Sequence, residues 1–258
     1  MALAERTLLS PAEEVLAIPY LSKRSVMSFL TQSEALPLRA ASAACRDAVA
    51  EHAWDDWEPG RFVIRGSIAS WRCCFPHAIA ADLGGNKTVQ DADLVHLRGV
   101  CKVRISGCKQ ISDAGLAHLR GIHTLHMNRC TAVTDAGLAH LRGIHSLGMK
   151  DCAAVTDAGL SHLRGIHTLS MNRCSAVTDS GLAHLRGIHS LSMDGCMAIT
   201  DAGLAHLRGI NKLRLQHCSG ITNAGLVHLH GIRVLRIKGP QLTAAALAQL
   251  VGADIRRS

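Results

Sequence analysis

Residues 112–133 read SDAGLAHLRGIHTLHMNRCTAV and residues 156–177 read TDAGLSHLRGIHTLSMNRCSAV, so that 18 of the 22 positions are identical. Units of this kind follow one another along the C-terminal two-thirds of the 258-residue chain. A fixed period of this length predicts a repeat architecture in which each unit buries its apolar side against its neighbours. The units begin at Gln90, Ser112, Thr134, Thr156, Thr178, Thr200 and Thr222, with a decayed unit from Thr243 and an opening half-unit over 78–89.

The apolar positions of one unit indicate a short helix and a short strand. Leu116 and Leu119 are three residues apart, which suits one face of a helix, and Asp113 is a residue that a helix N-terminus favours. Leu125 and Met127 alternate with polar neighbours, as in a half-buried strand. Stacked units of this kind predict a solenoid with a parallel sheet on its concave side.

The pattern Ile122-x-x-Leu125-x-Met127-x-x-Cys130 resembles the signature of leucine-rich repeats, L-x-x-L-x-L-x-x-N/C. The Thr-Asp-x-Gly-Leu that follows the cysteine is similar to the cysteine-containing subclass of that family. The resemblance implies an α/β fold: a right-handed leucine-rich-repeat solenoid of 22-residue units with a parallel concave sheet and short convex helices.

Composition separates the chain into two parts. The phenylalanine, tyrosine and tryptophan residues all lie between Tyr20 and Phe75. Residues 1–60 carry 5 Lys/Arg and 9 Asp/Glu, whereas residues 61–258 carry 23 and 11, so the net charge of +8 divides into −4 and +12. A basic body favours acidic partners. Because no apolar run approaches the roughly 20 residues of a membrane helix, we expect no membrane partner.

Repetition turns single residues into rows. Evenly spaced single cysteines fit neither a disulfide scaffold nor a zinc site, so we expect buried, reduced thiols in a cytoplasmic and/or nuclear protein. The histidine rows lack carboxylate or thiol partners at ligand spacing, so they predict neither a metal site nor a cofactor. The arginine and aspartate rows suit the two ends of short helices. The rows are Cys108, Cys130, Cys152, Cys174, Cys196 and Cys218; His96, His118, His140, His162, His184, His206 and His228; His123, His145, His167 and His189; Arg98, Arg120, Arg142, Arg164, Arg186 and Arg208; and Asp91, Asp113, Asp135, Asp157, Asp179 and Asp201.

The side chains that flank the strand leucines are the candidate partner-binding residues, because they should face the concave surface. They are small and polar in the middle of the array and basic towards both ends. Four of the basic residues fall on two adjacent predicted strands, so we expect a basic patch there and an acidic protein partner. The candidates are Lys102, Arg104, His126, Asn128, Lys150, Asn172, Asp194, Lys212, Arg214, Arg236 and Lys238, and the last four form the predicted patch.

Residues 10–57 have the pattern of a separate helical module, which residues 58–77 would connect, as a linker or N-terminal cap, to the solenoid at 78–258. A string that begins at Ile18-Pro19, passes Phe29-Leu30 and Cys45-Arg46, and ends at Trp54 resembles an F-box. Directly before cysteine-containing leucine-rich repeats, this resemblance implies that the head docks on the Skp-type adaptor of a cullin complex. The residues implied in that docking are Ile18, Pro19, Val26, Phe29, Leu30 and Leu38.

These features favour an adaptor over an enzyme, since no catalytic motif is present in the sequence. The leading hypothesis is the substrate-recognition subunit of an SCF-type E3 ubiquitin ligase, which binds a protein through the concave face. The alternative is an interaction scaffold without a ubiquitin-ligase role, in which the head is only a cap. We do not expect nucleic acid as a partner, because no aromatic stacking platform follows Phe75 and the aspartate row balances many arginines.

Overall fold

The computed structural model describes residue 32 and residues 35–37, 43–55, 63–238 and 242–257. The chain divides into two compact units, Met1–Asp82 (unit 1) and Leu83–Ser258 (unit 2). The division falls inside the half-unit at 78–89. Along the described part of the chain, no helix is both long and apolar enough to span a bilayer.

Unit 1 has an aromatic core. It contains helix α1 (Ala43–Glu51), helix α2 (Ile68–Cys74) and strand β1 (Ala80–Asp82). Trp54, Trp71 and Phe75 are buried, and both indoles have hydrogen-bond acceptors. Trp54 Nε1 donates to the Val49 carbonyl at 2.8 Å, and Trp71 Nε1 donates to Gln32 Oε1 at 2.7 Å. Because a buried N–H needs a partner, these two bonds fix how the tryptophans pack.

Unit 2 holds the other eight strands, which pair with one another in chain order. Every pair is parallel, and the central leucines face each other across the ladder, as Leu125 does with Leu147. Up to β8 the register advances by 22 residues per strand, which is the period predicted from the sequence. The strands are β2 (Lys102–Arg104), β3 (Thr124–His126), β4 (Ser146–Gly148), β5 (Thr168–Ser170), β6 (Ser190–Ser192), β7 (Lys212–Gln216), β8 (Val234–Lys238) and β9 (Asp254–Arg257).

Each middle repeat joins its strands through a very short helical segment. One α-helical turn carries the first leucine and a 3₁₀ turn carries the second. A glycine in the left-handed region then ends the segment, as Gly121 does with φ of 78°. The α-helical turns are α3 (Asp113–Leu116), α4 (Asp135–Leu138), α5 (Asp157–Leu160), α6 (Asp179–Leu182), α7 (Asp201–Leu204) and α8 (Ala244–Ala248), and the 3₁₀ segments are Asp91–Leu97, Ala117–Leu119, Ala139–Leu141, Ser161–Leu163, Ala183–Leu185, Ala205–Leu207 and Asn223–Leu229.

An aspartate of one repeat is bonded to the threonine that begins the next helical segment. Asp135 Oδ1 accepts from the Thr156 backbone N–H at 2.8 Å, and Asp135 Oδ2 accepts from Thr156 Oγ1 at 2.6 Å. The same Thr156 hydroxyl accepts from the Ala158 N–H at 3.2 Å and so caps the helix. A Cβ on Gly159 would overlap Asp135 Oδ1, so only glycine at this position leaves room for the Asp135 side chain to reach Thr156. We call this arrangement the aspartate clamp. It recurs with Asp113, Asp157, Asp179 and Asp201, and with Asp91, whose partner is Ser112 instead of a threonine.

The repeated apolar residues form one continuous core. In the second full repeat Leu116, Leu119, Leu125, Met127 and Cys130 are all at most 3 % exposed, and their equivalents in later repeats are similarly buried. The cysteine thiol donates to a carbonyl of the preceding repeat, as Cys130 Sγ does to the Ile105 oxygen at 3.2 Å. The period, the parallel sheet and this core confirm the predicted α/β leucine-rich-repeat solenoid.

The last repeat is shorter than the others. Thr243 caps its helix, as the decayed unit predicted, and Asn223 replaces the aspartate by accepting from the Thr243 N–H at 3.0 Å. The following strand, however, pairs with β8 at an offset of 20 residues, because Val234 lies opposite Asp254. A strict 22-residue period therefore misplaces the side chains of β9 by two positions.

Candidate protein-binding face

The strand residues that alternate with the buried leucines form the candidate site. Each three-residue strand contributes its first and its third residue, and the residue two positions beyond the third continues the same alternation. Aligned across the repeats, these positions form three rows, which we call the sheet face. All eleven candidate partner-binding residues lie on these rows, although the structure assigns them different tasks. The first row is Lys102, Thr124, Ser146, Thr168, Ser190, Lys212 and Val234; the second is Arg104, His126, Gly148, Ser170, Ser192, Arg214 and Arg236; the third is Ser106, Asn128, Lys150, Asn172, Asp194, Gln216 and Lys238.

Basic side chains gather at the C-terminal end of the sheet face. Arg214 on β7 lies opposite Arg236 on β8, while Lys212 and Lys238 belong to the same two strands. A further neighbour that the 22-residue period does not predict is Arg256, which lies opposite Arg236 on the other side. Because the final repeat is two residues shorter, Arg256 occupies the position that the 22-residue period assigns to residue 258. These five residues, Lys212, Arg214, Arg236, Lys238 and Arg256, are the basic patch.

Three of the five basic residues in the patch have no carboxylate partner among the residues that the structure describes. Arg214 is the neutralised member, since its Nε lies 2.5 Å from Asp194 Oδ2, and Arg256 pairs with Asp254 at 3.0 Å. Lys212, Arg236 and Lys238 are exposed, and none of them forms an ion pair with any carboxylate among the described residues. Three cations are thus left available to an acidic ligand.

A shallow depression of about 430 Å³ accompanies the patch. Leucine side chains and Val234 contribute an apolar part, while the serine hydroxyls and the basic groups contribute polar contacts. Such a mixture suits an extended peptide whose carboxylates meet the cations and whose backbone meets the hydroxyls. The residues that line it are Ser190, Leu191, Ser192, Lys212, Leu213, Arg214, Val234, Arg236, Asp254 and Arg256.

Three of the candidate residues in the middle of the face support the frame of the solenoid. Asn128 Oδ1 accepts from the Lys150 N–H at 2.8 Å, and Asn172 Oδ1 accepts from the Asp194 N–H at the same distance. Asp194 Oδ1 in turn accepts from the Gln216 N–H at 2.8 Å. Each bond links one repeat to the next just past the end of a strand, so a substitution there would change stability as well as any contact with a partner.

The remaining candidates lie nearer the N-terminal end of unit 2 or outside the described residues. Arg104 on β2 lies opposite His126 on β3, with Lys102 at the start of β2, and all three are half-buried. This end is therefore basic but less exposed than the basic patch. The six residues implied in adaptor docking, Ile18, Pro19, Val26, Phe29, Leu30 and Leu38, fall outside the described residues.

The repeated cysteines have unreactive thiols. Burial is the main cause that raises the pKa of the Cys130 and Cys174 thiols to about 12, and that of Cys152 and Cys196 to about 11. A thiol with such a pKa is neither a nucleophile nor a ready metal ligand at neutral pH. In the part of the chain that the structure describes, no group of three or more His, Cys, Asp or Glu side chains could hold a metal ion.

No family model and no curated protein matches the chain. Among solved structures, it is similar to internalin C2 from Listeria monocytogenes, at 22% identity over 65% of this chain and 73% of that one, with a TM-score of 0.50. It is also similar to TLR13 in the TLR13–ssRNA13 complex, at 13% identity over 81% of this chain, with a TM-score of 0.57, and spans 33% of the TLR13 chain. A further match is the yeast Rad7 and Elc1 complex, at 14% identity, 70% and 68% coverage and a TM-score of 0.47. Internalin and TLR13 are leucine-rich-repeat proteins, so the likeness supports a leucine-rich-repeat fold for this chain.

Proposed function

We propose that the chain is a protein-binding adaptor whose sheet face holds an acidic segment of a partner. The observation that carries this proposal is the basic patch, in which three exposed cations form no ion pair within the described part of the chain and two of them, Lys212 and Arg236, line a depression with hydroxyl and apolar groups. The neighbouring strands carry small polar side chains, so an extended segment can cross several strands without steric obstruction. Charge complementarity would both speed its association and orient it.

The finer proposal is that the bound protein is a substrate of an SCF-type E3 ubiquitin ligase. Its support is the F-box resemblance of the head, immediately before the repeats. In that role the head binds a Skp-type adaptor and the cullin complex, while the chain itself brings the substrate close to catalytic subunits and performs no chemistry. The nine free cysteines among the described residues fit a reducing compartment, which we infer to be cytoplasmic and/or nuclear.

One observation favours the alternative of a scaffold without a ubiquitin-ligase role. Trp54, which ends the F-box-like string, is 1 % exposed, and its ring packs against Phe75 with centroids 5.7 Å apart. At least this part of the string therefore serves the core of unit 1. In the alternative, the head is a structural cap and the sheet face is the only interface.

The test of the sheet face is a binding measurement with defined peptides. A fluorescent peptide rich in Asp and Glu should bind the full chain, and a peptide with Ser in place of the acidic residues should not. The double variant Arg236→Glu/Lys238→Glu should abolish binding, whereas the matched double variant Lys87→Glu/Lys109→Glu, at exposed positions outside the patch, should retain most of it. Equal loss in both variants would mean that only the net charge matters, and the proposed site would be wrong.

The adaptor role has a separate test. The full chain is mixed with a purified Skp-type adaptor, and complex formation is followed by size-exclusion chromatography. We expect a complex that Phe29→Asp abolishes and that Val227→Asp, the same kind of change at an exposed position of unit 2, leaves intact. If the unaltered chain forms no complex, the ubiquitin-ligase role is refuted and the scaffold alternative stands.

A further inference from the structure

A row of arginines follows the helical segments of unit 2 on a different part of each repeat from the sheet face. The row consists of five arginines; all five are exposed, and each guanidinium contacts a histidine of the next repeat. The distances between Nη2 of the arginine and Nδ1 of the histidine are 3.1 Å for Arg120 and His140, and 3.4 Å for Arg164 and His184. Because a guanidinium has only donors, the imidazole nitrogen is the acceptor, so the histidine orients the arginine without neutralising it. The row is Arg120, Arg142, Arg164, Arg186 and Arg208.

The carboxylates that could balance this row are engaged elsewhere. In the aspartate clamp both oxygens accept hydrogen bonds from the next repeat, as Asp157 does from the Thr178 N–H at 2.8 Å and from Thr178 Oγ1 at 2.6 Å. Within the described residues, none of the five arginines forms an ion pair with a carboxylate. The aspartates keep their negative charge, so the two rows still balance in number, but within the described residues the clamped carboxylates form no ion pair with these five guanidinium groups.

Histidines extend the same edge of the solenoid. His145 and His167 follow Arg142 and Arg164 by three residues, within the turn that leads from the helical segment to the strand. Four such rings are stacked, with centroids 4.5–4.6 Å apart. Since neighbouring rings cover the faces of the inner two, the part of each inner ring that a ligand can reach is its edge. We call these turns, residues 120–123, 142–145, 164–167, 186–189 and 208–211, the helix-to-strand edge.

We propose that the helix-to-strand edge binds the phosphodiester backbone of nucleic acid along its length and without reading its sequence. Guanidinium groups in a regular row match a ligand whose anionic groups are themselves regularly spaced, and the arginine fork fits phosphate oxygens. The imidazole edges add N–H donors at the stacking interval. Because no phenylalanine, tyrosine or tryptophan follows Phe75, the bases would find no stacking platform in unit 2, and contact would be confined to the backbone.

This inference stands apart from the proposed function, because it uses other residues and another class of ligand. The aspartate row was one of the two sequence arguments against nucleic acid, and the aspartate clamp weakens it, because within the described residues the clamped carboxylates form no ion pair with the five arginines. The other argument, the lack of aromatic residues, restricts the mode of binding to phosphate contacts. Because the guanidinium fork also fits a carboxylate, an acidic polypeptide is the competing ligand, and competition with poly-glutamate distinguishes the two.

The test is a salt titration of binding with the full chain. A labelled mixed-sequence single strand and a duplex of the same length are followed by fluorescence anisotropy. If the five arginines each meet one phosphate, the logarithm of the binding constant should fall against the logarithm of salt concentration with a slope of about −3.5 for the single strand and about −4.5 for the duplex. Comparison of the two measured slopes and affinities shows which form is preferred, and a second sequence should bind equally well.

Matched variants locate the site. Arg164→Gln/Arg186→Gln should weaken binding of every sequence and reduce the magnitude of the single-strand slope by about 1.4, since two phosphate contacts are lost. Lys212→Gln/Lys238→Gln removes the same charge from the basic patch and should leave the slope unchanged. The circular dichroism melting curves of both variants should match that of the unaltered chain. The proposal fails if the unaltered chain does not bind at low salt, if the lysine variant lowers the slope as much as the arginine variant, or if poly-glutamate of equal charge competes as well as the oligonucleotide.

Discussion

The aspartate clamp makes a specific prediction about two substitutions in adjacent repeats, Asp135→Ala and Gly159→Ala. Asp135 links its repeat to Thr156 through two hydrogen bonds, and the Gly159 backbone leaves the space through which the Asp135 side chain passes. An alanine Cβ at 159 would overlap Asp135 Oδ1 and displace the carboxylate. The two substitutions should therefore break the same interaction, one by removing the carboxylate and the other by excluding it.

The magnitudes follow from the two bonds. Hydrogen bonds to a charged group contribute about 1.5–3 kcal/mol each, and because this site is half-exposed we take the lower value, so Asp135→Ala should cost about 3 kcal/mol. Gly159→Ala should lose the same bonds but recover about 1 kcal/mol from the better helix propensity of alanine, for a net cost of about 2 kcal/mol. In the double variant the overlap with the carboxylate is gone and the propensity gain remains, while Leu138 Cδ1, 3.0 Å from the added Cβ, shifts slightly; its cost should therefore also be about 2 kcal/mol, instead of the additive value of about 5 kcal/mol.

The assay is urea denaturation followed by far-ultraviolet circular dichroism. With a slope of about 3 kcal/mol per molar urea, the midpoint should fall by about 1 M for Asp135→Ala and by about 0.7 M for both Gly159→Ala and the double variant. A matched pair supplies the control: Gly159→Ala combined with Asp201→Ala, whose clamp holds Thr222 instead, should be additive. If the Asp135 and Gly159 substitutions also prove additive, the carboxylate does not occupy the space beside Gly159 and the proposed packing is refuted.

Two further predictions concern the cysteine and histidine rows. A thiol reagent at about pH 7.5 should label the exposed Cys73 and Cys101 in the native protein and should reach Cys130 and Cys174 only after unfolding. The reason is that a pKa of about 12 leaves fewer than about one thiol in 10,000 ionised. Labelling is measured by mass spectrometry, and rapid labelling of the cysteine row in the native protein would contradict the prediction. Burial, followed by the charges of His189 and His145, lowers the pKa of His167 in the folded chain. The contribution of the neutral ring to the free energy of unfolding is therefore complete above the unfolded pKa of about 6.5, and it is lost as the pH falls through the lower folded pKa. The urea midpoint of the unaltered chain should thus decrease between about pH 7.5 and about pH 5.5, and that of His167→Asn should decrease less; equal slopes would mean that the stack does not disfavour the charged ring.

The sequence predicts those parts of the fold that depend on a single repeat. The strand at Leu125, the helical turn at Leu116 and the buried position of Cys130 follow from local periodicity, and the structure places all three as expected. Interactions between repeats were not predictable in the same way. The partner of Asp135 lies 21 residues ahead, and the need for a residue without a side chain at Gly159 can be recognised only once the stacking register is known.

The candidate site shows the same limit. The sequence predicts that Arg214 and Arg236 lie opposite each other, because a constant register brings equivalent positions together. It could not anticipate that Asp194 pairs with Arg214, or that Asn128 and Asn172 bond to the backbone of the next repeat, since these contacts depend on the direction of side chains past the strand ends. It also missed Arg256, because the last repeat departs from the 22-residue period.

The two positive surfaces differ in how they vary from repeat to repeat, and this difference bears on what each can bind. The sheet face changes along the array, from half-buried basic residues through small polar ones to the exposed patch at Lys212, Arg236 and Lys238, so it offers a partner only one register. The helix-to-strand edge repeats the same arginine five times and offers a ligand many equivalent registers, which suits a polymer that can slide. The two surfaces share no residue, although they adjoin where Lys212 follows the turn at 208–211, and salt at about 0.1 M screens charges beyond about 10 Å, so repulsion between two bound ligands should be confined to that end of the array. An acidic peptide and an oligonucleotide should therefore bind together near physiological salt, and mutual exclusion under those conditions would show that a single surface serves both ligands.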